Sequence, residues 1–298
     1  MDGRREDPMT TISEQDYQHW LVHGYAIVEL LDDTQLAAAL ECIHEYMPSW
    51  EEYRRHPRWY GETIERNGML RVEFPFAGDA LNWTTIHPDL VAFAERVLHT
   101  KRIMLSHGQL GAKYAGTKDF EQELHLDYGN NTLVVPKPDA EALHFPALLY
   151  YTDVTVDLGP TYVVPADVTR DDPLVPRHRS RREHPELYDH EFPVTVRAGQ
   201  ALIYSMRTFH RGSRMLAKEG LRLAQNIGFK RSEVTACGQE TFQHEGGRPE
   251  MDRFLERANP RERELAGFPP VGDAYWDADS VAAVSRRYPG MEMTPYET

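Results

Sequence analysis

The sequence predicts a mainly β protein, a sandwich or barrel, with helices at both ends. Three observations predict it. From Ile103 onward short β-prone runs recur with Gly, Pro or Asp between them, at 103–113, 124–128, 146–152, 161–164, 192–197, 201–206 and 222–230. Two capped helical patterns precede these runs, and helical patterns return after Ser232. No internal repeat, low-complexity tract or linker divides the chain. One domain over 1–298 is therefore expected, with a mainly helical part over 1–100, a β core over 101–232 and a helical extension over 233–298.

Ser13 with Asp16 three residues on reads as a capping box, and Tyr17, Trp20 and Leu21 follow at helical spacing. Gly24 ends that helix, and Tyr25–Val28 makes a short strand. Asp32, Asp33 and Thr34 cap a second helix reaching about Met47, with Leu36, Leu40 and Ile43 on one face. From Pro48 to Trp83 the chain is rich in Arg, Trp and Tyr without a clear period, although Leu70–Phe74 alternates as a strand does. Pro88 suits a first helical turn, and good helix formers follow to Leu98. In the tail, Met251–Ala258, Pro260–Ala266 and Asp279–Arg287 read as helices. Trp276 and Tyr288–Met291 are expected to pack them over the core or to form an oligomer contact. The aromatic residues of Trp50–Trp59 and Tyr150-Tyr151 suit core packing better than a pocket lining.

Composition narrows the function. The chain is 41% hydrophobic and 27% charged, as an ordinary globular protein is. Its net charge of −14 argues against nucleic acid or an anionic membrane as partner, since both want a basic surface. No apolar run approaches the roughly eighteen residues of a membrane helix. The charged start, Met1–Asp7, leads into no apolar secretory segment. Cys42 and Cys237 are too few for a disulfide framework and read as reduced thiols of a cytoplasmic protein, Cys237 as a small buried or partly buried one. A small-molecule partner is expected, in a monomer or homodimer.

The chemistry-bearing pattern is His125-Leu126-Asp127, answered far downstream by His210. Side chains two apart on a strand share a face, so His125 and Asp127 can converge on one point while His210 approaches from another strand. Two imidazoles and one carboxylate with open positions make the facial triad of non-haem Fe(II) oxygenases. His-x-Asp alone is a weak signal in a chain with 14 histidines. It is strengthened by the Gly199-led β run before His210 and by Arg222 on the following strand, a residue suited to bidentate carboxylate binding. His107, His144, His178, His184, His190 and His244 show no spacing that suggests a second metal.

On these residues the chain resembles the phytanoyl-CoA dioxygenase family of Fe(II)/2-oxoglutarate oxygenases over about Ser13 to Lys230. The family's His-x-Asp, distant His, Gly-Ser and next-strand Arg match His125, Asp127, His210, Gly212-Ser213 and Arg222. Arg211 intrudes where the family has His-Gly-Ser unbroken, and Ala166-Asp167 replaces Gly-Ser after Asp153–Pro165. The resemblance implies a double-stranded β-helix (jelly-roll, cupin-like) core. It also implies Fe(II) on His125, Asp127 and His210, with 2-oxoglutarate as co-substrate and O2 as oxidant. Arg222 would pair with the co-substrate's far carboxylate, and Lys113 and Ser213 would also contact the co-substrate. The implied reaction is hydroxylation of an unactivated C–H in a small or medium-sized metabolite, with succinate and CO2 as co-products. Asp127 argues against a halogenase, because halogenating relatives lack that carboxylate. Desaturation, cyclisation or epimerisation on the same centre, a cupin enzyme without 2-oxoglutarate, and a non-catalytic ligand-binding member are the rival readings.

Arg170–His184 is a basic stretch in an acidic chain. A solvated, mobile loop is the plain reading, and a lid that recruits an anionic substrate is the sharper one.

Overall fold

The computed structural model describes residues 11–58, 70–117, 120–128, 132–135, 143–238 and 242–297. Met1–Asp7, Trp59 and the His244 side chain, on which expectations were placed, lie outside the described residues. The helical patterns form where the caps put them. Ser13 and Asp16 close a reciprocal capping box on α1 (Glu14–His23), and Gly24 ends it at φ 74°. Asp32 and Gln35 do the same for α2 (Asp33–His44), which stops three residues short of Met47. The stretch without a clear period contains α3 (Trp50–Arg55) and α4 (Asp79–Thr85), each too short to display an amphipathic repeat. Pro88 opens α5 (Pro88–Val97). α6 (Pro185–Asp189) interrupts the β core, and α7 (Pro249–Arg257), α8 (Pro260–Leu265) and α9 (Ala278–Arg287) form the tail.

Two antiparallel sheets face each other. The larger runs β1 (Tyr25–Glu29), β9 (Gln200–Tyr204), β5 (His144–Tyr150), β11 (Leu221–Arg231), β3 (Ile103–Tyr114) and β2 (Leu70–Glu73), in that order. The smaller runs β7 (His178–Arg179), β4 (Leu124–His125), β10 (His210–Gly212), β6 (Thr161–Val163) and β8 (Phe192–Pro193). Among the described residues no strand pairing joins the two sheets, so the jelly roll is an open sandwich and not a closed barrel.

Period-two alternation gives the larger sheet two uses. Along β11, Leu221, Leu223 and Ile227 turn outward into the main core, which they share with helical residues such as Ile43, Leu90 and Phe254. Arg222, Ala224 and Asn226 turn the other way, into the cleft between the sheets, where Ala224 packs with Tyr150, Val163, Leu202 and Tyr204. Tyr150 and Tyr151 therefore part company. Tyr151 bonds Thr84 and Gln225 on the helical side, and Tyr150 bonds Thr161 across the cleft. The tail packs onto the same core, with the Trp276 ring 4.3 Å from that of Tyr296 and tilted against it. Cys237 is buried, and burial pushes its thiol up to about 11.

Candidate metal centre

β10 lies beside β4, and His210 is the register partner of His125. Opposed residues of an antiparallel pair point to the same face, which brings the two rings to 4.5 Å between centroids. Asp127, two residues beyond His125, turns to that face as well. His125 Nε2 stands 3.7 Å from Asp127 Oδ1, and His210 Nε2 stands 3.5 Å from Oδ2. One ligand atom from each residue lies within 4.8 Å of the others, and all three residues are buried.

The other ring nitrogens are already engaged. His125 Nδ1 donates to the Glu123 carbonyl at 2.9 Å, and His210 Nδ1 donates to the Thr208 carbonyl at 3.0 Å. Protonation at Nδ1 leaves a lone pair on each Nε2, and both lone pairs face the carboxylate. The Tyr204 hydroxyl donates to Asp127 Oδ2 at 2.7 Å and fixes how the carboxylate is turned. Thr208 is anchored in turn: its hydroxyl donates to the Gly24 carbonyl at 2.6 Å. A Cβ at Gly24 would sit 2.7 Å from that hydroxyl, so the helix-ending glycine also makes room for the turn that presents His210.

The electrostatics suit a cation. Burial pushes the Asp127 carboxyl up, but the His210 and His125 imidazoles and the Tyr204 hydroxyl outweigh it and hold the group well below the usual carboxylate range. Burial, reinforced by His210, lowers the His125 imidazole to about 4. For His210, burial is overcome by the Asp127 charge and its hydrogen bond, and the imidazole is raised. An anionic carboxylate facing two nitrogen donors is a set that Fe(II) accepts by one face.

The basic residues form a second cluster. Arg222 and Lys113 are register partners on β11 and β3. The buried Lys113 ammonium donates to the Ser213 carbonyl at 2.9 Å, the Ser213 hydroxyl donates to the Pro160 carbonyl at 2.7 Å, and Arg222 donates to the Gly159 carbonyl. The Arg222 charge is felt at Tyr150, whose neighbour Tyr204 holds Asp127. Lys113, Ser213 and Arg222 thus meet at one end of the cleft despite the extra Arg211. That residue turns to the opposite face of β10. Its guanidinium grips Glu191 through two bonds of 2.6 and 2.8 Å and Glu121 through a third of 2.6 Å, over the Tyr162 ring.

The sequence of the chain matches the phytanoyl-CoA dioxygenase profile over residues 20–219. The chain belongs to the phytanoyl-CoA dioxygenase family. No curated protein matches it by sequence. Among solved structures it is similar to the non-haem α-ketoglutarate-dependent carbocyclase SnoK of nogalamycin biosynthesis, at 17% identity and a TM-score of 0.56, covering 80% of this chain and 92% of that one. HygX from Streptomyces hygroscopicus, solved with nickel, 2-oxoglutarate and hygromycin B, matches at 17% identity and 0.54, covering 75% and 89%. The epimerase SnoN, solved with Fe3+, α-ketoglutarate and nogalamycin RO, matches at 18% identity and 0.52, covering 73% and 82%. Such distant likeness shows the fold, and this family member shares it.

Several features were not visible in the sequence. Tyr204 sits at the end of an apolar run 77 residues from Asp127, and nothing local links them. Part of the basic stretch becomes β7, which places His178 opposite His125 with rings 5.6 Å apart. Three of its arginines are engaged: buried Arg179 donates to the Pro173 carbonyl, Arg181 pairs with Glu191 and Arg182 with Glu183. No helix among the described residues is long and apolar enough to cross a membrane.

Proposed function

We propose that this chain is an Fe(II)- and 2-oxoglutarate-dependent dioxygenase that hydroxylates an unactivated C–H bond of a small or medium-sized metabolite. The observation that carries the reading is the convergence of His125, Asp127 and His210 within 4.8 Å, with both imidazoles already committed through Nδ1. His125, Asp127 and His210 would hold the iron, and Arg222, aided by Lys113 and Ser213, would hold the far carboxylate of 2-oxoglutarate. Bound there with dioxygen, these groups supply the two-electron oxidation of a C–H bond, with succinate and CO2 as co-products. The chain's own part is positioning. Asp127 offsets charge on the cation, and Tyr204 fixes the rotation of that carboxylate. Two cations side by side at Lys113 and Arg222 select a dianionic oxo acid by length and charge. The apolar packing around Leu202 and Val163 keeps water from one side of the cleft. The unpaired thiols Cys42 and Cys237 suit the reducing cytoplasm.

Anaerobic titration with Fe(II) and 2-oxoglutarate, following the charge-transfer band, tests the reading. His125→Ala or His210→Ala is expected to abolish the band. Arg222→Ala is expected to weaken 2-oxoglutarate binding roughly ten- to hundredfold, the worth of a hydrogen bond to a charged group, while metal affinity changes little. Bands unaltered by all three changes would refute these assignments. A carbocyclase and an epimerase among the structural relatives make other outcomes the second reading. Product mass separates them: hydroxylation adds one oxygen, cyclisation or desaturation removes two hydrogens, and epimerisation leaves the mass unchanged.

A further inference from the structure

The two ends of the cleft differ. Toward β9 and β5 it is packed with Tyr150, Leu202 and Tyr204. Toward β11, β3 and β2 it is polar, and a buried relay supports that side. Ser106, His107 and His144 are all buried, and the two rings stack at 5.5 Å. Ser106 Oγ lies 2.6 Å from His144 Nε2 and 3.3 Å from His107 Nδ1, and His107 Nε2 lies 3.0 Å from Asn226 Oδ1.

One proton arrangement satisfies every hydrogen in this chain of contacts. His144 Nε2–H donates to Ser106, the Ser106 hydroxyl donates to His107 Nδ1, and His107 Nε2–H donates to Asn226 Oδ1. His144 Nδ1 is then left as a bare buried acceptor, and it has no partner among the described residues. The relay is packed hard against the β11 backbone. A Cβ at Gly228 would meet His107, His144 and Ser106 atoms at 2.4 to 2.5 Å.

Its effect is to fix the Asn226 carboxamide by its oxygen and leave the amide N–H2 without a protein partner among the described residues. Gln109 is the register partner of Asn226 across β11 and β3, so their Cβ atoms are about 5 Å apart. Gln109 donates its own N–H to Glu73, which leaves its carbonyl oxygen unpaired among the described residues. A donor and an acceptor therefore stand side by side on the cleft face, unjoined. They lie four residues along β11 from Arg222, roughly 13 Å, and so beyond the reach of a five-carbon diacid anchored there. The Asp127 charge is felt at His107, which places this end on the metal side of the cleft.

We propose that Asn226 and Gln109 form a subsite for a substrate hydroxyl group, Asn226 donating to its oxygen and Gln109 accepting its proton, so that the substrate is a hydroxylated compound. This rests on the oxygenase reading above. A hydroxyl is donor and acceptor at a single atom and so meets both amides at once. An acyl chain would leave both amides desolvated and unsatisfied, a cost that selects against it.

The test uses the Fe(II)- and 2-oxoglutarate-loaded protein and a panel of sugars, cyclitols and polyols, set beside their deoxy analogues, acyl thioesters and alkyl carboxylates. Succinate release above the uncoupled rate is the readout. Stimulation is expected from the hydroxylated compounds. Asn226→Asp keeps the acceptor for His107 and removes the donor; it should lower kcat/KM roughly tenfold or more, mostly through KM. Asn226→Leu should do the same. The charge-transfer band and 2-oxoglutarate affinity of both variants should stay near wild type, which also shows that they fold. Absence of that band from the wild-type protein would sink the oxygenase reading itself. With the band present, stimulation by acyl or alkyl compounds only, by nothing in the panel, or by hydroxylated compounds equally well in both variants would overturn the subsite.

Discussion

A histidine offers one ring nitrogen to a metal only when the other has somewhere to place its proton. His125 and His210 meet that condition through the carbonyls of Glu123 and Thr208. Asp127 relies on Tyr204 instead, and that bond defines a separable experiment. Tyr204→Phe preserves the ring that packs in the cleft and removes only the hydroxyl. Metal affinity, measured by calorimetry with Co(II), is expected to fall roughly tenfold to a hundredfold, as for other partners of metal ligands. No change would mean that the carboxylate is fixed by other contacts. The triad itself was legible from residue type and spacing, because a period of two aims His125 and Asp127 together. Tyr204, Asn226 and Gln109 were not. Their roles depend on which strands lie opposite, and sequence spacing does not carry that information.

At the scale of elements, the β runs after Ile103 were readable from composition and punctuation, most within a few residues. The strands of the smaller sheet were harder. β7 spans only His178–Arg179 inside a charged stretch, and β10 covers His210–Gly212, so neither has length enough to show alternation. Their short ladders need other support, and Arg211 gives it. The side chains of Arg211 and Glu191 are 5% and 6% exposed, so this ion pair is out of water and joins β10 to the segment beside β8. Removing Arg211 leaves the buried Glu191 carboxylate with only the exposed Arg181 as partner. Arg211→Ala is expected to cost roughly 3–5 kcal/mol of stability in urea unfolding, whereas a surface pair would cost under about 1 kcal/mol. Arg211→Met, which fills the space without a charge, tests whether it is charge or volume that matters. Strand alternation turns the residue that breaks the family's His-Gly-Ser order out of the site: His210 faces the cleft and Arg211 faces away.

Across the whole molecule, the two faces of the larger sheet have opposite chemistry, one apolar under the helices and one partly polar over the cleft. The buried imidazoles on this sheet make stability depend on pH. Burial, with His107 and Lys230 nearby, lowers His144 from the ordinary 6.5 to about 3. Between those values the unfolded chain takes up a proton that the folded chain refuses, so stability is expected to decline as pH falls from about 6.5 toward 3. Urea midpoints at pH 7 and pH 5 measure it, and His144→Asn should narrow the difference. A gap of the same size in the variant would place the sensitivity elsewhere. The helical ends and the β centre were legible from caps and periodicity; the openness of the sandwich was not, because closure is decided by pairings between strands far apart in sequence.

The N-terminal arm does more than cover an edge. β1 zips onto β9 with Tyr25 opposite Tyr204, and the Gly24 carbonyl tethers Thr208, two residues before His210. A protein trimmed of everything through Glu29 would lose the brace behind both the carboxylate's hydroxyl partner and the second imidazole. Proteolysis at that far-off end should therefore register first as slackened metal retention, with the β scaffold still standing.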